Sequence, residues 1–129
     1  MNKYIVEGTK STPYVALDYD EKKLVFEGQS YPENAYNVYE PIYKWLDEYF
    51  AKVEEEETIA EFFLSYINTS STKCLIVLIE KLNKAYLQGK KIIIHWIYDE
   101  ENGFDYEMGQ DLMEDVDIPF LFIPAEDTN

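Results

Sequence analysis

An α/β fold, with a mixed sheet of about five to six strands and three helices in a single domain, is predicted by three features of the chain. Short apolar runs are separated by stretches in which apolar residues recur at spacings of three and four. The first runs follow one another closely enough for a hairpin, whereas the later ones each have a helical stretch between them. Strands joined by helical crossovers pair in parallel, so the sheet is expected to be antiparallel at its start and parallel afterwards.

Tyr4-Ile5-Val6 is the first strand, and residues 14–18 and 24–27 form a hairpin around Asp20-Glu21-Lys22-Lys23. Ser30-Tyr31-Pro32-Glu33 has the Ser-x-x-Glu spacing of a reciprocal helix cap, with Pro32 tolerated in a first turn. Ala35, Val38, Tyr39, Ile42, Trp45, Leu46, Tyr49 and Phe50 then define one face of a helix in which Pro41 is a possible kink. The run Glu54-Glu55-Glu56-Glu57 repels itself and marks the exit. Residues 59–67 are almost wholly apolar, as for a central strand covered on both faces. After Asn68-Thr69-Ser70-Ser71, the spacing of Leu75, Ile79, Leu82 and Tyr86 predicts a second helix with Gly89 as its C-terminal cap. Residues 91–98 form a further buried strand, 105–116 an acidic helix and 119–123 a last strand. The domain is expected to span 1–125, with residues 126–129 a frayed tail.

Composition narrows the function. With 26 acids against 11 bases the formal charge is -15, which opposes binding to a nucleic-acid backbone or an anionic membrane. All eleven bases are lysine, so the forked donor best suited to gripping phosphate is missing and a nucleotide or other cofactor pocket is not expected. The acidity fits a solvated surface or a basic protein partner. A lone cysteine, Cys74, excludes an internal disulfide and suits a reducing, cytoplasmic setting. No run approaches the roughly 18 apolar residues of a membrane span.

Thr69-Ser70-Ser71 lies between a buried strand and a helix, where up to four backbone amides have no helical partner. One hydroxyl is enough to cap such a helix, and three exceed the requirement. A phosphate there would meet free amides and the positive helix end while adding about -1.5 to -2 charges to an exposed rim.

Thr9-Lys10-Ser11-Thr12-Pro13, Gly28-Gln29-Ser30-Tyr31-Pro32-Glu33-Asn34, Trp45-Leu46, Tyr66-Ile67-Asn68-Thr69-Ser70-Ser71-Thr72-Lys73 and Pro119-Phe120 resemble the SiaC family of bacterial regulatory phosphoproteins, over nearly the whole chain. The resemblance implies a STAS-like fold related to anti-sigma-factor antagonists. It implies that Thr69 is phosphorylated by a dedicated Ser/Thr kinase and dephosphorylated by a PPM-type phosphatase, with Asn68, Ser70, Ser71 and Lys73 capping or neighbouring it. It implies a downstream partner such as a diguanylate cyclase, activated by the unphosphorylated form, and it points to Tyr31, Pro32, Glu33 and Asn34 as partner-facing.

Two other functions stay open on residues alone. A constitutive scaffold would use Thr69 only as a helix cap. A small enzyme would use Cys74 or His95 as nucleophile and base, but no Gly-x-Ser-x-Gly elbow or glycine-rich phosphate loop accompanies them. Asp99, Glu100, Glu101, Asp105 and Glu107 could gather around a cation, yet Gly103 is misplaced for an EF-hand, and a solvated loop is the expected outcome. No metal and no catalytic residue is therefore assigned.

Overall fold

A computed structural model describes residues 1–128. Its elements follow the predicted order: β1 (Tyr4–Val6), β2 (Tyr14–Asp18), β3 (Lys23–Ser30), α1 (Ala35–Lys52), β4 (Thr58–Ile67), α2 (Thr69–Leu87), β5 (Ile92–Tyr98), α3 (Phe104–Glu114) and β6 (Phe120–Pro124). The six strands lie in sequence order in one sheet, antiparallel from β1 to β3 and parallel from β3 to β6. A frayed tail was expected over 126–129; residues Ala125–Thr128 form a 3-10 turn, and Asn129 lies outside the described residues.

One expectation fails in an instructive way. β4 is central, between β3 and β5, but it is not sealed on both faces. Thr58, Ala60, Phe62 and Leu64 are buried, whereas Ile59, Glu61 and Phe63 between them are only half-buried. The topology explains this. Successive crossovers between neighbouring parallel strands share one hand, so the three helices stack on the same face. That face holds a single core in which Leu24, Phe62 and Trp96 of the sheet meet Leu46 and Tyr49 of α1, Leu75 and Leu82 of α2, and Leu112 of α3. Phe26, Phe62 and Trp96 stack in sequence across three strands, at centroid spacings of 4.7 and 5.5 Å.

Two glycines serve this packing. Gly89 follows α2 with φ +103, so it turns the chain as predicted. Gly109 of α3 lies flat on Trp96, where an added Cβ would fall 2.4 Å from the indole nitrogen. No larger residue fits there without moving the tryptophan.

The first helix starts later than Ser30-x-x-Glu33 suggested. Asn34 is the N-cap, its side-chain oxygen accepting from the Asn37 amide at 3.3 Å. Ser30 instead ends β3 and is fully buried. Pro41 lies inside α1, which runs unbroken from Ala35 to Lys52.

Candidate functional site

The β4–α2 corner is built by Asn68. Its amide donates to the Ser30 carbonyl at 3.0 Å, which ties the end of β4 to the end of β3. Its side-chain oxygen accepts from the Ser71 amide at 2.9 Å and from the Ser70 hydroxyl at 3.3 Å, while its carbonyl accepts from the Thr72 hydroxyl at 2.8 Å. The helix cap is thus an asparagine, and the expectation that one of the hydroxyls caps α2 is corrected. A short carboxamide one residue before the helix reaches the third amide directly.

The three hydroxyls of residues 69–71 therefore differ. Ser71 points inward and is fully buried; Ser30 donates to its oxygen at 2.8 Å, and Tyr39 of α1 donates to Ser30 at 2.9 Å. Ser70 leans on Asn68. Thr69, the first residue of α2, is exposed at the rim, and Lys73 is exposed one turn further on. A scaffold in which Thr69 only caps the helix is not what the geometry provides.

Tyr31 and Pro32 are half-buried, and Glu33 and Asn34 are exposed. The Tyr31 amide donates to the Ser11 carbonyl at 2.7 Å, fixing the start of this loop. The Tyr31 ring meets Tyr66 edge-on at 6.1 Å, and Tyr66 meets Phe104 at 5.7 Å. Tyr66 and Phe104 are 47% and 40% exposed, large values for aromatics, so a row of three rings crosses the C-terminal ends of the strands beside the corner. Sequence reasoning placed Tyr31 here but missed the other two. Tyr66 was hidden in an apolar run, and the only hint for Phe104 was its place directly after a turn glycine.

Asp105, expected to be solvated, is instead fully buried near the start of α3, where one carboxylate oxygen accepts from the Asp99 amide at 2.9 Å. Among the described residues, no group of three or more His, Cys, Asp and Glu side chains converges as a metal site. Cys74 lies in the second turn of α2. His95 alternates in β5 with Ile94 and Trp96, which face the helices, so its side chain projects from the opposite side of the sheet. The two cannot form a nucleophile–base pair.

Burial raises the phenol pKa of Tyr39 above its ordinary value, and burial does the same to Tyr43, whose hydroxyl donates to the Cys74 carbonyl at 2.7 Å. Both phenols therefore stay neutral donors, Tyr43 joining α1 to α2 directly and Tyr39 joining α1 to Ser30 at the end of β3, which in turn donates to Ser71 of α2.

A one-faced α/β sheet carrying an exposed hydroxyl and exposed aromatics at a strand-to-helix corner has the makings of a regulatory binding domain. The chain belongs to the SiaC family of regulatory phosphoproteins, whose family model matches residues 6–125. It is 31% identical over 127 residues to an uncharacterized protein of Pseudomonas aeruginosa strain UCBPP-PA14, covering 98% of this chain and 99% of the relative. It also matches the crystal structure of apo-SiaC from Pseudomonas aeruginosa with a TM-score of 0.89 and 29% identity, over 95% of this chain and 99% of the other. SiaC from the same organism, crystallised as the activator in complex with the diguanylate cyclase SiaD, matches with a TM-score of 0.88 and 29% identity, over 94% and 98% of the two chains.

Proposed function

We propose that the chain is a non-catalytic, cytoplasmic regulatory phosphoprotein in which Thr69 is the switch. Exposure of Thr69 at the first position of α2, on a corner held by other residues, is the observation that carries this. A dedicated kinase transfers the terminal phosphoryl group of ATP to the Thr69 hydroxyl oxygen. The new O–P bond replaces the bond to ADP, and the hydroxyl proton passes to the kinase. A PPM-type phosphatase returns the hydroxyl by adding water across the O–P bond and releasing inorganic phosphate.

The dianion would have amides of the first turn and the positive helix end beside it, so the fold has no reason to open. Its effect falls on the partner. A protein seated on Tyr31, Tyr66 and Phe104 would have to strip water from a charge at the edge of an apolar row, which costs more than the free hydroxyl does. The partner is a diguanylate cyclase, by likeness to the SiaC–SiaD complex, and the unphosphorylated chain is its activator.

Binding of wild type, Thr69→Ala and Thr69→Asp to a diguanylate cyclase of the organism that makes the chain tests this. Thr69→Ala should bind like the unmodified wild type, and Thr69→Asp should bind at least about tenfold more weakly. Equal binding by all three would remove the switch.

A further inference from the structure

α2 and α3 return side by side from neighbouring parallel strands, but they do not pack on each other as α1 and α2 do. α2 seats along α1, while α3 seats on β4 and β5. Between them lies a groove of about 450 Å³, floored by Ile79 and Leu112 and walled by Ile76, Met108 and Val116. Ile76 is 42% exposed, although it stands among the apolar residues of this wall. At the far end, Asn83 of α2 accepts from the amides of Asp117 and Ile118 at 2.9 and 3.0 Å, which closes the groove below. Its other end opens toward the β4–α2 corner.

Length and charge identify what fits. Opposite a wall that runs from Met108 past the end of α3 to Val116, the α2 wall runs from Thr72 to Glu80, about 12 Å at the helical rise. That is a little over two turns, the span over which a docked helix places anchors at i, i+3 or i+4, and i+7. The charged lining residues are Glu80, Asp111 and Asp115, all acidic. We propose that this groove binds an amphipathic helix of the partner protein, with an apolar stripe facing Ile76 and Leu112 and lysine or arginine flanks facing the acidic rim. The proposal rests on the partner-binding function above and adds a place for the partner to lie. Thr69, Thr72, Ile76 and Glu80 share one stripe of α2, by their spacing of three, four and four, so the helix would run toward the switch residue.

The test titrates unphosphorylated protein, labelled with nitrogen-15, with a synthetic leucine–lysine amphipathic helix, and with a leucine–glutamate helix of the same pattern. The basic peptide should shift amides of residues 72–80 and 108–116, and the acidic peptide should not. Ile76→Asn, which leaves every charge in place, should weaken the basic peptide about tenfold, and Asp111→Asn with Asp115→Asn should weaken it and flatten its salt dependence. Attraction unaffected by Ile76→Asn, shifts centred on another face, no binding, or self-association of the chain through these residues would each overturn the proposal. If the peptide seats in the groove of a chain whose Thr69 has no influence on the cyclase, the groove stands and the switch falls.

Discussion

On its α1 side, helix α2 is fastened at every level. Ser71 joins the Tyr39–Ser30 hydroxyl chain, the Cys74 carbonyl receives the Tyr43 hydroxyl, and Lys81 pairs with Asp47 at 2.9 Å. On its α3 side, the same helix shows Ile76 to solvent over an acidic groove, with the Asn83 clamp at the bottom. One seam holds polar groups that satisfy each other, which specifies a unique packing. The other leaves apolar surface without a partner inside the chain, which is what an interaction surface looks like before it is used. The difference puts the polar ties of α2 on its α1 side and its open apolar surface on the α3 side.

Stability measurements can break that contrast. Leu75 is buried in the common core and Ile76 is its neighbour on the open side. Leu75→Ala should cost about 2 to 5 kcal/mol in urea unfolding, whereas Ile76→Ala should stay within about 0.5 kcal/mol. Comparable losses would mean that the α3 seam is as closed as the other. Ser30→Ala should cost about 1 to 3 kcal/mol, since it leaves two buried hydroxyls, those of Tyr39 and Ser71, short of a partner.

At the corner itself, Asn68→Ala should cost about 1 kcal/mol as a lost cap. Thr69→Ala should cost less than about 0.5 kcal/mol, because the capping oxygen belongs to its neighbour. The reverse ranking, read from the same unfolding curves, would return Thr69 to a structural role.

The smallest effect concerns pH. Burial lifts the phenols of Tyr39 and Tyr43 above their ordinary value of 10.0, so in the folded chain they keep protons that the unfolded chain gives up. Below pH 10 both states are protonated and stability is unaffected by these groups; above it the unfolded state binds fewer protons, and stability falls. The melting temperature should therefore decline as pH rises beyond 10, and Tyr39→Phe should shrink that decline. A decline of the same size in the phenylalanine variant would show that Tyr39 does not contribute to it.

Much of this architecture was legible in the residues. The order of strands and helices followed from periodicity, and Gly89 stood where α2 ends. What escaped was sidedness and depth. An apolar run such as Ile59-Ala60-Glu61-Phe62-Phe63 reads as buried throughout, because periodicity does not say whether a second layer exists; here three crossovers of one hand leave a face half-covered. Ser30 resembled a cap because its spacing to Glu33 is right, but its role is set by Tyr39 and Ser71, the latter 41 residues away. The aromatic row and the α2–α3 groove are likewise products of tertiary placement. Phe104 and Tyr66 are 38 positions apart in sequence and meet only when the β5–α3 turn folds over the end of β4.

The central claim is that Thr69 carries a reversible phosphate. Intact-mass and fragment-ion spectrometry of the chain purified from the cells that make it, with and without phosphatase inhibitors, tests this most directly. A single added phosphate, localised to Thr69 and abolished in Thr69→Ala, is the predicted result. A phosphate mapped to Ser70 or another residue, or a chain that is never phosphorylated while its kinase is active, would contradict it.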